Sequence, residues 1–273
     1  MIITVLVENT SIDPHLPSEH GLSLYIETKD HHILFDTGDS NLFETNAKHL
    51  GIDLTNVDIC VLSHGHHDHG GGLLRFMEIN KKAIIYVQES AFEPHYSKRK
   101  EGYKDISIPL PKGEDKRIFY VQDDHAINQH LVLFSKVKPK KYYPSSNKNL
   151  YVDDGQNLKN DDFRHEQNLI IEENEKLILI AGCAHKGMIN IIDEAMSIMG
   201  RHIDYAVGGL HMFSRSTGIS ESKEMIERMG KDFLTYHTHL LTCHCTGEKA
   251  FEILKPIMGE NIEYIRTGMT IKL

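Results

Sequence analysis

Six residues, His64-Gly65-His66-His67-Asp68-His69, constrain this chain more than any other feature, because they follow an apolar run with no intervening linker. Residues 57–62 (VDICVL) read as a buried strand covered on both faces. The loop at its end therefore carries four imidazoles and a carboxylate, the nitrogen and oxygen donors of zinc and similar divalent ions. Alternate residues in such a turn aim His64 and His66 at one point, and Asp68 and His69 at a neighbouring one. Gly70, Gly71 and Gly72 allow the backbone to fold tightly around them. A chance cluster of surface histidines belongs in a low-complexity tract, whereas this one ends a core strand.

Three later histidines end apolar runs in the same way. His185 follows LILIAGCA, His211 follows YAVGGL, and His244 lies in TCHCTG. Ligands in α/β sheets gather at the carboxyl ends of strands, so four such ends offering histidine describe one convergent site. Either ring of the His237 and His239 pair reads more simply as structural, and His67 as solvent-exposed or supporting. Glu8 and Asn9, at the end of the first run, are within reach of the site's rim.

The remaining pattern alternates strands and helices in two halves. Strands are expected at residues 2–8, 23–28, 31–35 and 83–87, with Lys29-Asp30 as a hairpin link. Helices are expected at residues 41–50, stopped by Gly51, and 73–77. The second half repeats the alternation, with strands at 169–172, 177–181, 203–207 and 234–242. Its helices are expected at 188–199, at 247–254 and from Ser220, which Glu224 supports as a cap. Residues 90–162 break the rhythm with Lys, Tyr, Pro and Asn clusters and a single clear strand at 131–134. They read as an insert or lid over the strand ends of one 273-residue domain, in an α/β layered sandwich.

Composition closes off several classes. A net charge of −9 disfavours non-specific nucleic-acid binding, while leaving room for local basic runs, Lys98-Arg99-Lys100 and residues 136–141, to meet an anionic group. Tyr96, Tyr103, Tyr142 and Tyr143 are candidates to stack on a flat substrate. No apolar run reaches membrane-spanning length, and MIITVLVEN lacks the basic start of a secretory leader. Cys60, Cys183, Cys243 and Cys245 are expected to be reduced, Cys60 and Cys183 as small buried hydrophobes, in a cytoplasmic protein.

The residues quoted so far resemble the metallo-β-lactamase superfamily, whose signature is His-x-His-x-Asp-His followed by single distant ligands. SHGHHDHGGGL, GCAHKGMIN, GGLHM and HCTG are similar more narrowly to the 7,8-dihydropterin-6-methyl-4-(β-D-ribofuranosyl)aminobenzene-5′-phosphate synthase-like subgroup. The resemblance implies an αβ/βα four-layer sandwich. It implies a first metal held by His64, His66 and His185, and a second held by Asp68, His69 and His244. Zinc is the first choice, with manganese or iron as alternatives. Asp36 in FDTG matches an aspartate that supports the site from behind its ligands. His211 stands where most binuclear members carry a bridging aspartate, which implies a weaker second metal, or a role for His211 toward substrate. The implied chemistry is a water acidified from 15.7 toward about 7 by a metal, with Asp68 and His211 as the proton-handling residues. The implied partner is a small, anionic molecule of a pterin- or phosphate-containing kind, processed by a hydrolase or related transferase. A phosphodiesterase or nuclease, and a non-catalytic metal or ligand sensor, are the alternatives.

Overall fold

Successive side chains on a strand point to opposite faces, and that alternation sorts the apolar runs into layers. The computed structural model describes residues 1–273. Strands β1 (Ile2–Val7), β2 (Ser23–Glu27) and β3 (His32–Phe35) form an antiparallel meander. Helix α1 (Leu42–His49), strand β4 (Ile59–Val61), the one-turn helix α2 (His67–Gly70), helix α3 (Leu73–Ile79) and strand β5 (Ile84–Gln88) follow. Strands β3, β4 and β5 pair in parallel. Ile33, Phe35, Ile59 and Val61 face the centre of the molecule. Leu34, Cys60 and Leu62 face outward onto Phe43 and Ala47 of α1 and Phe76 of α3.

The middle of the chain holds β6 (His95–Arg99), β7 (Gly102–Asp105), β8 (Ile118–Val121), β9 (His125–Asn128), β10 (Leu131–Phe134), β11 (Leu150–Asp153) and β12 (Leu158–Asn160). Strands β13 (Asn168–Glu173) and β14 (Lys176–Ile180) then form a hairpin. Helix α4 (Met188–Met199), β15 (Tyr205–Gly208), the short pair β16 (Phe213–Ser214) and β17 (Ile219–Ser220), and helix α5 (Lys223–Leu234) come next. The chain ends with β18 (His239–Thr242), α6 (Glu248–Met258), β19 (Ile262–Tyr264) and β20 (Thr270–Lys272).

Two seven-stranded sheets result, ordered β20-β1-β2-β3-β4-β5-β8 and β19-β18-β15-β14-β13-β10-β9. Their facing sides share one apolar layer, in which Ile3, Leu24 and Val61 of the first sheet belong with Leu133, Ile180 and Leu241 of the second. The outer face of the second sheet packs on α4, α5 and α6 through residues such as Leu179, Ile192, Phe233 and Leu254. The architecture is the αβ/βα sandwich that the family resemblance implies. Each fully buried Ile, Leu or Phe contributes roughly 1.5–3 kcal/mol by leaving water, and all four cysteines are free. Apolar burial therefore holds the layers together without a disulfide.

Residues 90–162 do not form the single insert expected of them. Strand β8 adds to the edge of the first sheet beside β5, and β9 and β10 extend the second. Only β6, β7, β11 and β12 stand apart, as a four-stranded sheet of order β12-β11-β6-β7. The segment shows a single clear strand in the sequence because its edge strands bury few side chains: two residues of β8 are exposed and one is buried. The α5 boundary also differs. Ser220 belongs to β17, and Ser222 is the cap, its hydroxyl accepting a hydrogen bond from Met225 N. Leu234 ends α5, and residues 235–238 carry the chain to β18, so the strand expected at 234–242 is confined to His239–Thr242.

Ser222→Ala is expected to lower stability by about 0.5–2 kcal/mol through loss of this cap. Ser220→Ala should change it by less than about 0.5 kcal/mol. Denaturant unfolding of the two variants checks the assignment, and the reverse order would contradict it.

Candidate metal centre

The parallel strands of both sheets end at one cleft, and the residues just past those ends line it. His64, His66 and His69 come from the loop after β4 and the turn of α2. Cys183 and His185 follow β14, His211 follows β15 and His244 follows β18. The close approach depends on small residues. A Cβ on Gly182 would lie 2.2 Å from Ser63 Oγ, and one on Gly209 would lie 2.3 Å from Cys245 Sγ. Asp36, Ala184, His211 and His244 all adopt positive φ, between 49° and 60°. Non-glycine residues rarely do so, and such strain clusters at functional sites.

Hydrogen bonds fix the tautomers of four rings. Asp36 Oδ2 accepts from His69 Nδ1 at 2.6 Å and from Ser63 Oγ at 2.7 Å, and its Oδ1 accepts from Ser63 N at 2.7 Å. With its proton given to Asp36, Ser63 Oγ is left to accept from His64 Nδ1 at 2.8 Å. Asn147 donates to the His185 carbonyl at 2.8 Å and accepts from His185 Nδ1 at 3.0 Å. Asn9 does the same for His244, at 3.2 and 2.9 Å, while Glu8 accepts from His244 N at 2.7 Å. Each ring thus keeps a proton on Nδ1 and turns its Nε2 atom inward.

The spacing of those nitrogens is that of ligands on a cation. Two nitrogens bound about 2.0–2.1 Å from one tetrahedral ion stand about 3.3–3.4 Å apart. His64 Nε2 and His185 Nε2 are 3.4 Å apart, and His69 Nε2 and His244 Nε2 are 3.2 Å apart. Asp68 Oδ2 lies 3.3 Å from His244 Nε2 and 4.0 Å from His69 Nε2, with His20 Nε2 at 3.1 Å on its other side. These residues fit divalent cations by donor chemistry and by distance. Cys183 belongs with His64 and His185, and again with His69 and His244.

His66 is arranged in the opposite sense. Its ring centroid is 4.6 Å from that of His64 and 4.9 Å from that of His185. Its Nε2, however, is buried without a hydrogen-bond partner, 3.8 Å from Asp161 Oδ2. The Nδ1 atom is therefore the ring nitrogen left for the cleft. Asp161 also takes His95 Nδ1 at 3.2 Å and His165 Nε2 at 3.0 Å. Because His165 Nδ1 accepts from Gly65 N at 2.9 Å, its proton is on Nε2 and points at Asp161. This buried group is a hydrogen-bonded support behind His66, since His165 has no lone pair to give a cation.

Electrostatics follow from burial. Burial first, then the neighbouring imidazoles, holds His64 and His185 well below the usual histidine range. His66 is lowered to about 4 by burial, against the pull of Asp161. Burial opposes charge on His69 as well, but the Asp36 and Asp68 carboxylates outweigh it and raise its pKa to about 9. A cation entering beside Asp68 must displace that proton, so loading there is coupled to proton release. Burial also raises the Cys183 thiol, with the neighbouring Cys245 adding to the effect.

Above the donors lies a cavity of about 310 Å³. His185, His211, His244 and Cys183 line it from below, and Arg99, Lys104 and Arg215 bring positive charge to its wall, alongside Asp39 and Asp105. Arg99 and Lys104 come from β6 and β7, so the four-stranded sheet borders the site. None of Tyr96, Tyr103, Tyr142 and Tyr143 lines it: Tyr142 bonds Asp232 at 2.8 Å and Tyr103 packs on Tyr151. His211 is half-buried, its ring 4.2 Å from His185 and its Nδ1 buried without a partner. His67 is exposed and pairs with Asp39 at 3.0 Å, and His239 packs on Tyr205 in β18. Sequence reasoning missed Cys183, Asp161, His95, His165, His20 and Asn147 as members of the site. Only Cys183 carried a signal, two residues before His185.

Comparisons with known proteins bear on the family and the fold. The sequence model of the metallo-beta-lactamase superfamily matches residues 17–185. An uncharacterized protein of Methanocaldococcus jannaschii is 28% identical over 274 residues, covering 99% of each chain. The 7,8-dihydropterin-6-methyl-4-(β-D-ribofuranosyl)-aminobenzene-5′-phosphate synthase of the same organism is 28% identical, covering 93% of this chain and 90% of its own. A solved structure of a metal-dependent hydrolase of the β-lactamase superfamily superposes with a TM-score of 0.82 at 28% identity, covering 100% of this chain and 99% of its own.

Asp161→Asn is expected to weaken divalent-cation affinity about 10–100-fold, the usual effect of losing a support behind a ligand. Competition against a chromophoric chelator measures it, and unchanged affinity would show that His66 does not need Asp161.

Proposed function

Because the chain belongs to the metallo-β-lactamase superfamily, we propose that it is a metal-dependent hydrolase or related transferase acting on a small anionic molecule. One observation carries this reading: the inward-turned His and Asp donors lie directly beneath a cavity whose wall holds Arg99, Lys104 and Arg215. A buried donor set alone would suit a structural ion, and the cationic wall alone would suit any anion. Stacked together, they suit an anionic substrate presented to a reactive centre.

His64, His66 and His185 would hold one divalent cation and Asp68, His69 and His244 a second, which when bound would supply Lewis acidity and acidify water. Zinc remains the first choice. The protein's own groups do the rest. Arg99, whose Nε is buried without a partner, and Lys104 bind the substrate's anionic group and orient it. Asp68 accepts the proton of the attacking water. His211 lies against His185 with its Nδ1 unpartnered, and it donates a proton or hydrogen bond to the leaving oxygen. The synthase relative makes, by its name, a product with a dihydropterin and a 5′-phosphate; a phosphate of that kind suits the same cationic wall. A flat ring would rest near His20 and Phe213, which line the cavity, rather than on tyrosine.

The test is turnover by purified, metal-loaded protein on a panel of ester, lactone, phosphodiester and phosphorylated substrates. Activity should vanish on chelation and return with added metal. Arg99→Ala should raise KM for an anionic substrate about ten- to a hundredfold, from loss of a charged hydrogen bond of about 1.5–3 kcal/mol, with kcat less affected. His211→Ala should keep the metal content and lose about 10²–10⁴-fold in kcat. Activity that survives metal removal would refute the reading, as would anionic and neutral substrates handled alike by Arg99→Ala and the parent protein.

A further inference from the structure

We propose that the Cys183 thiolate is a ligand shared by both cations of the centre. The proposal rests on the metal-dependent reading above and adds a donor that the His-and-Asp signature does not contain. Cys183 Sγ lies within 4.8 Å of the donor atoms of His64 and His185, and also within 4.8 Å of those of His69 and His244. No other residue belongs to both groups. Asp68 groups only with His20 and His244, and His211 only with Cys183 and Cys245. The Sγ atom is 3.2 Å from His69 Nε2, close to the separation of about 3.5 Å expected for sulfur and nitrogen on one tetrahedral ion.

The local backbone is built to put it there. Gly182 brings the end of β14 against Ser63, where no Cβ would fit. Ala184 adopts φ of 55°, which turns the chain between Cys183 and His185 so that both side chains line one cavity. Cys183 as an apolar filler would account for its burial. It would not account for strained backbone that presents the sulfur to four imidazoles whose Nε2 atoms are already turned inward.

Cys245 stands behind this arrangement. Its Sγ accepts from His211 N at 3.3 Å and lies 3.5 Å from the Cys183 carbonyl oxygen, and it groups with neither His64 and His185 nor His69 and His244. The second thiol holds the Cys183 loop and the His211 loop together. A shared thiolate has a chemical consequence. It links the two positions through one soft donor, favouring thiophilic ions such as zinc or iron(II) over manganese or magnesium.

Cobalt(II) substitution tests this without relying on turnover. Apo protein loaded with two equivalents of cobalt should show a near-ultraviolet thiolate-to-cobalt charge-transfer band. X-ray absorption of the same sample should give one sulfur neighbour per cobalt, and this measurement needs no variant to fold. The band should persist in Cys245→Ser and disappear in Cys183→Ser, which should bind its second cobalt at least about tenfold more weakly. A band that persists in Cys183→Ser, or a metal shell free of sulfur, overturns the proposal. One sulfur for every two cobalt ions overturns the sharing and leaves Cys183 on one cation. Protein that binds no divalent cation at all overturns the metal-dependent reading itself, a failure distinct from cobalt bound without sulfur.

Discussion

The buried carboxylate of Asp36 is the constraint on which the rest of the site depends. It receives three hydrogen bonds, from Ser63 N, Ser63 Oγ and His69 Nδ1, all between 2.6 and 2.7 Å. A buried carboxylate is costly unless its lone pairs are occupied, and these three partners occupy them. Its effect reaches past its direct contacts. By taking the Ser63 hydroxyl proton it makes Ser63 Oγ an acceptor, and so fixes the tautomer of His64 as well. One side chain at the end of β3 thereby orients two rings on the loop after β4. An asparagine of the same shape would offer one acceptor and one donor, and could not serve all three.

The second sheet solves the same problem with neutral amides. Asn147 and Asn9 each clamp a histidine twice, through its carbonyl and its Nδ1. A clamp of this kind restrains main chain and ring together, so the imidazole cannot swing without breaking two bonds. Asn9 lies after β1 of the first sheet and holds His244 of the second; Asn147 comes from the segment before β11 and holds His185. The cleft is therefore closed by hydrogen bonds that cross between layers, over an apolar layer that supplies the bulk of the cohesion. Rigid donors above a close-packed base are what a metal site needs in order to hold its geometry before the ion arrives.

The sequence made the sandwich and most of the donors legible because both follow from local pattern. A continuous apolar run ending in histidine reads the same in the sequence and in the fold at β4, β14 and β15. What stayed hidden depends on contacts between distant segments. His95 and His165 meet at Asp161 only because β6 pairs with β11 and the chain after β12 returns beneath His66. Nothing near them in sequence marks them apart from surface histidines. Cys183 was read as a filler because burial and ligation look alike in a strand-end cysteine. The division of residues 90–162 was missed because edge strands lack the alternation that identifies central ones, as β7, exposed along its whole length, makes plain.

The placement of strain suggests how such a scaffold separates what is fixed from what can vary. Asp36, Ala184, His211 and His244 sit just beyond β3, β14, β15 and β18, each in the left-handed region. That conformation costs of order 1–3 kcal/mol per residue, and it persists because each segment is held by the sheet on one side and by a buried hydrogen bond on the other. Altering any of these turns would move a ligand or its support. The cationic wall has no such restraint: Lys104 and Arg215 are exposed, on the four-stranded sheet and the short β16–β17 hairpin. Substitution there would alter the charge of the wall without disturbing the donors beneath. Under the proposed function, substrate choice would reside in the elements added around the sandwich, and reactivity in the strand ends that the sandwich itself compels.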